Sequence, residues 1–123
     1  MSDLAPVLLV GAGPAAISAA QWFASLDVRF RWVTASNRVG GTLLRVGNPI
    51  ANYPGVETDN GPQLVSAFER VLARLQLSPE CGISVVACAP SERPDSVAVS
   101  LALDDEPERV VHYPHVLLCT GTR

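Results

Sequence analysis

Short apolar runs separated by glycine, proline and charge set the rhythm of the chain. Val7-Leu8-Leu9-Val10 carries no polar residue and stops at Gly11, the pattern of a strand buried on both faces in a parallel sheet. From Pro14 to about Ala24 the sequence is rich in Ala, carries Ile17, Trp22 and Phe23, and meets no further breaker. Proline suits a first helical turn, so a helix is predicted there. Arg29 to Val33 alternates basic and apolar residues ahead of Thr34, which predicts a second strand with one face or end in water. A βαβ unit thus closes by residue 34.

Gly40, Gly41, Gly47, Pro49, Pro54, Gly55, Gly61 and Pro62 follow within 23 positions, a density that predicts a functional loop and neither helix nor strand. Leu64, Val65, Phe68, Val71, Leu72 and Leu75 then recur at three- and four-residue steps opposite Glu69, Arg70 and Arg74. This predicts an amphipathic helix that ends near Leu77 and covers a sheet face. Ile83 to Ala89 reads as a third buried strand, and Val97 to Leu103 alternates as an exposed antiparallel strand does. Asp104-Asp105-Glu106-Pro107 is its turn and Val110 to Tyr113 the return strand, and Val116-Leu117-Leu118-Cys119 is a last buried run closed by Thr120-Gly121. No internal repeat or low-complexity segment is present.

Composition narrows the chemistry. The 123 residues fit one domain spanning 1–123, and with 48% apolar and 17% charged residues the chain can bury a core. All nine basic residues are Arg, so phosphoryl transfer that relies on a phosphate-binding Lys, and Schiff-base chemistry, have no carrier. A formal net charge of −3 with scattered Arg residues points to neither nucleic acid nor an anionic membrane as partner. Cys81, Cys88 and Cys119 are odd in number, no two closer than seven positions, and show no C-x-x-C or metal-ligand spacing, which suggests a reducing, cytoplasmic location and no metal site. The Met1-Ser2-Asp3 start has no basic leader, and no apolar run is long enough for a membrane span.

The sharpest chemical signal is Gly11-x-Gly13-x-x-Ala16 at the first strand-to-helix turn. The first Gly permits the turn, the second lets backbone approach a pyrophosphate, and a small third residue lets the helix pack closely. Pro14 and Ala15 open the helix, whose N-terminal N–H groups and positive dipole end attract an anion. The acid that usually reads the adenosine ribose at the end of the second strand is absent. The segment reads Thr34-Ala35-Ser36-Asn37-Arg38. Ser36 or Asn37 can hydrogen-bond a ribose hydroxyl, whereas Arg38 can pair with a 2′-phosphate, so this stretch taken alone favours NADP over NAD.

Further segments follow in order: Arg38-Val39-Gly40-Gly41-Thr42-Leu43, Ala51-Asn52-Tyr53-Pro54-Gly55-Val56 and Cys119-Thr120-Gly121. With Gly11 to Ala16 they resemble the FAD-binding half of flavoproteins with two dinucleotide folds, above all the low-molecular-weight thioredoxin reductases. The Arg-Val-Gly-Gly-Thr wording is also similar to flavin-containing monooxygenases. The resemblance implies an α/β, Rossmann-like FAD/NAD(P)-binding fold: a parallel sheet with a small antiparallel β-meander, lacking the C-terminal part of the usual domain. It implies that Gly11 and Gly13 approach the FAD pyrophosphate, that Gly40, Gly41, Thr42 and Leu43 run along the cofactor, and that Asn52 reaches toward the flavin ring. Val86 joins the expected cofactor contacts, and Thr120 and Gly121 close over the dinucleotide. FAD is the expected cofactor, with NADP the alternative.

The resemblance also says what is missing. The related glutathione reductase type carries a redox Cys pair where this sequence has Leu43 and Asn48, so that chemistry is absent and no catalytic residue is assigned. Cys119 is expected to be a buried structural thiol, and His112 and His115 to be surface residues. In the resembling proteins further chain returns to complete the FAD domain, which here implies a second protein chain or a homo-oligomer. The function expected is an FAD-binding subunit or half-domain of a split flavin-dependent oxidoreductase. The alternative is a non-catalytic dinucleotide-binding module, for FAD or NADP, that self-associates.

Overall fold

A computed structural model describes residues 5–121; the reading of Met1 to Asp3 lies outside them. In chain order it holds β1 (Val7–Val10), α1 (Pro14–Ser25), β2 (Phe30–Val33), a 3-10 helix (Gly41–Arg45), β3 (Ile50–Tyr53), β4 (Val56–Thr58) and α2 (Gly61–Leu75). Then come β5 (Ile83–Pro90), β6 (Val97–Leu103), β7 (Arg109–Tyr113) and β8 (His115–Leu118). β2, β1 and β8 form a parallel sheet in that order, β5, β6 and β7 an antiparallel meander, and β3 and β4 a hairpin. No helix among the described residues is long and apolar enough to cross a membrane.

β1 sits between the two other parallel strands and is buried along its whole length, as its unbroken apolar run predicts. Side chains alternate across a strand, so β1 feeds two cores. Leu9 faces Ala16, Ile17 and Ala20 of α1 together with Leu64, Val65, Phe68 and Leu72 of α2. Leu8 and Val10 join Val33 and pack with Ile83, Val99, Leu101 and Tyr113 of the meander. The result is three layers: two helices, the parallel sheet, and the meander. The small Ala16 and Ala20, both fully buried, let α1 lie close to the sheet.

α2 begins with a side-chain cap: Asn60 Oδ1 accepts from the Gln63 amide at 2.8 Å, while Gln63 Oε1 accepts from the Asp59 amide at 2.6 Å. It ends at Gln76, held in the left-handed region at φ 58°, with the Leu77 amide bonded back to the Leu72 carbonyl at 2.9 Å. Glycine is the residue that takes this conformation without steric cost. Gln76→Gly is therefore expected to stabilise the fold by about 0.5 kcal/mol, a rise of roughly 1–3 °C in Tm by calorimetry.

Four readings of the pattern change. Ile83 to Ala89 is not a buried strand: β5 is an outer strand of the meander, and only Ile83 on it is buried. Val97 to Leu103 is antiparallel, as predicted, but β6 is the middle strand and buries Val99 and Leu101. Val116 to Cys119 is not buried either; among the described residues β8 pairs with β1 alone, and Leu117 and Leu118 are 40% and 55% exposed. An apolar run specifies a strand that can be buried, whereas the cover comes from neighbours distant in sequence. The stretch from Gly40 to Pro62 is also more ordered than a loop. Pro54 and Gly55, the latter at φ 78°, make the turn between β3 and β4, a Pro-Gly order suited to a type II turn.

Candidate functional site

The site is built where β1, β2 and β8 end. The Gly11 amide donates to the Val33 carbonyl at 3.0 Å on the β2 side, and the Cys119 amide donates to the Val10 carbonyl at 2.7 Å on the β8 side. Gly11 has φ 117°, and a Cβ built there would collide with the Cys119 carbonyl, so glycine is required both by conformation and by space. Cys119 and Thr120 thus cross directly beside the first glycine turn. The Gly11 carbonyl accepts a 2.6 Å hydrogen bond from Trp32 Nε1.

Gly13 is the N-cap of α1 and Pro14 its first residue, with no side chain capping that end. A Cβ at Gly13 would meet nothing within 4 Å, so open space lies over the backbone at the head of the helix. Ala12, Gly13, Ala15 and Ala16 show no hydrogen-bond acceptor for their amides among the described residues. Four donors and the positive end of a helix dipole therefore face a cradle left open by the absent side chain.

The second glycine pair closes on the first. The Gly40 amide donates to the Ala12 carbonyl at 2.7 Å, and a Cβ on Gly41 would stand 3.1 Å from Gly13 Cα. Gly40 at φ 128° and Gly41 at φ 58° let the chain turn there into the 3-10 helix, which carries exposed Thr42 and half-buried Leu43. Gly11, Gly13, Pro14, Ala15, Gly40, Gly41 and Thr120 are accordingly brought together, with Thr42 and Gly121 one residue on.

At the end of β2, hydroxyl groups replace the expected acid. Thr34 Oγ1 and Ser36 Oγ are 2.8 Å apart, and Ser36 Oγ also donates to the Arg38 carbonyl at 3.1 Å. Arg38 Nη2 reaches Glu69 Oε1 of α2 at 3.0 Å, a half-exposed pair that contributes little to stability. Ser36, Asn37 and Arg38 are all exposed.

Two further expected contacts sit on exposed segments. Asn52 is on the exposed β3–β4 hairpin, lining an open cleft of 410 Å3 made by Ala51 to Glu57 alone. Val86 is the extra residue of a bulge between Val85 and Ala87 in β5, and it points into water. Trp32, Thr34 and Glu69 were missed by the sequence reading. A Trp inside an otherwise strand-like run looks like core, and the partner of its N–H lies 21 positions away.

Other titratable groups lie outside the glycine turns or beside them. Arg31, expected in water, is half-buried: it meets the Glu80 carboxylate through Nε at 2.8 Å and Nη2 at 3.1 Å, and its Nη1 donates to Tyr113 at 3.5 Å. Cys119 is half-buried, and burial pushes its thiol pKa up, so less reactive thiolate is present at neutral pH. His112 Nδ1 shares a 2.8 Å hydrogen bond with Ser91 Oγ, and His115 is exposed.

A Rossmann-like α/β unit with two glycine turns meeting at the strand ends is therefore the class that fold and site define. No protein-family model and no curated protein matches the chain. Solved structures do. Thioredoxin reductase from Streptococcus pyogenes matches with a TM-score of 0.77 and 22% identity, over 100% of this chain and 37% of that one. A steroid monooxygenase bound to NADP gives 0.74 and 20% over 95% of this chain and 26% of its own. OTEMO, solved with FAD and NADP, gives 0.75 and 18% over 98% and 26%. The particular fold is thus the one found in thioredoxin reductases and monooxygenases, and the chain spans about a third or less of these proteins.

Proposed function

We propose that this chain is the FAD-binding part of a flavin-dependent oxidoreductase. The observation that carries the reading is the convergence of Gly11–Gly13, Gly40–Gly41 and Cys119–Thr120 at the ends of adjoining strands. Gly11, Gly13, Pro14 and Ala15 would form the pyrophosphate cradle, with Gly40, Gly41, Thr42 and Leu43 along one side and Thr120 and Gly121 along the other. When bound, the flavin supplies hydride and electron transfer. The chain's own residues bind and orient it through backbone donors, and none is assigned an acid–base role. Asn52 would reach toward the flavin ring, and Val86 would add a further contact.

The outer edge of β8, with Leu117 and Leu118 exposed, supports a partner. An uncovered edge strand offers unpaired N–H and C=O groups to another chain. The partner is a second protein chain that completes the flavin domain, or another copy of this one. Unpaired thiols at Cys81, Cys88 and Cys119 suit a cytoplasmic setting.

Arg38 favours a second reading, in which the glycine site takes NADP in a non-catalytic, self-associating module. Purification from the native host tests both. Near-stoichiometric flavin absorbance supports FAD, while a colourless protein that takes up NADPH overturns it in favour of the second reading. Under the first reading Arg38→Ala should leave FAD affinity within about twofold by calorimetry, since FAD carries no 2′-phosphate for that guanidinium. A loss of NADPH affinity of about tenfold or more in the same variant would instead mark Arg38 as a phosphate ligand.

A further inference from the structure

We infer that Trp32 is a positioning residue for the dinucleotide: its indole N–H sets the direction of the first phosphate-facing amide. This rests on the dinucleotide reading above and adds a residue to it. Trp32 is 4% exposed, packed with Leu9, Ala12 and Ile17 in the core beneath the helices, and its Nε1 donates to the Gly11 carbonyl at 2.6 Å. No peptide bond among the described residues is cis. In a planar trans peptide the C=O and the N–H point in opposite directions. A carbonyl of Gly11 drawn down onto the indole therefore turns the Ala12 amide the other way, out of the core.

That amide has no acceptor among the described residues, although Ala12 is only 5% exposed. Buried backbone donors are almost always satisfied, so the Ala12 N–H is left for an acceptor from outside the chain. Gly11 cannot hold this orientation by its own stereochemistry, because glycine is the residue most free to rotate its peptide. Two backbone bonds fix the flanks, from the Gly11 amide to Val33 and from the Gly40 amide to the Ala12 carbonyl. Neither restrains the peptide between Gly11 and Ala12 at its own oxygen; Trp32 does.

A buried indole also seeks a hydrogen-bond partner for its own sake, so the test must separate ligand affinity from stability. Trp32 is replaced by benzothienylalanine, which keeps the ring's shape and lacks the N–H, and in parallel by Phe. Affinity for FAD and for ADP is read by calorimetry, and the indole N–H resonances are followed by NMR. Trp22, 63% exposed, is the internal control. The expected result is a loss of about 5- to 10-fold in affinity for both ligands in the isostere, with the folded spectrum retained. In the unaltered protein the Trp32 N–H resonance should shift on ADP addition while that of Trp22 stays still. Unchanged affinity in a folded isostere overturns the role of Trp32 and leaves the dinucleotide reading standing. Failure of the unaltered protein to bind either ligand overturns both.

Discussion

Gly13→Ala is expected to abolish most dinucleotide binding while leaving the fold intact. The backbone at Gly13 has φ −82° and ψ −170°, which alanine adopts freely. Its added methyl would meet no protein atom within 4 Å. Alanine is a poorer N-cap than glycine, but it also lowers the entropy of the unfolded chain, so the two effects nearly cancel and Tm should move by no more than about 3 °C. The same methyl occupies the space through which a pyrophosphate must approach the amides at the head of α1. A misplaced methylene-sized group in a close-packed site costs about 1–3 kcal/mol, or roughly 5- to 150-fold in affinity. Titration of FAD and ADP into the variant checks this. Wild-type affinity for both would mean that the open space over Gly13 is not where the cofactor lies.

Gly11→Ala should do the reverse and act on the fold first. At φ 117° a side chain is strained wherever it points, and here the added carbon collides with the Cys119 carbonyl. That carbonyl belongs to backbone anchored through its amide to Val10 at 2.7 Å, so it cannot simply rotate away as a flexible side chain would. The expected loss is about 3 kcal/mol or more, a drop in Tm of roughly 10 °C or greater. Urea denaturation measures it. A variant within 1 kcal/mol of the parent would show that the segment after β8 does not pack against this turn in solution. The two neighbouring glycines thus carry separable duties, one for packing and one for access, although the motif writes them alike.

Much of the frame was legible because its signals are local. The Val7–Val10 run, the glycine turn, the Pro14 helix start and the amphipathic spacing from Leu64 to Leu75 each act within a dozen or so residues, and β1, α1, β2 and α2 stand where they predict. The same logic failed for Ile83 to Ala89 and Val116 to Cys119. These runs are written like β1 but lie at sheet edges. The β3–β4 hairpin was obscured by the glycine and proline count around it, although Tyr53-Pro54-Gly55-Val56 is itself a turn signal. Among the site residues, the glycines were legible by conformation. Asn52 and Val86 rested on resemblance alone; one lies on the β3–β4 hairpin and the other at a bulge in β5.

By itself the sequence determined the identity of the strands and helices that frame the glycine turns and the positions of the glycines themselves. Backbone conformation and side-chain period are properties of neighbouring residues. Only the tertiary structure decided which strand lies beside which. It laid Gly41 against Gly13, carried Cys119 across Gly11, set the Trp32 N–H beneath the first turn, and tied Arg38 to Glu69. Each of these joins residues more than 20 positions apart. Such contacts depend on where whole layers come to rest on one another, and no local pattern in the chain records that.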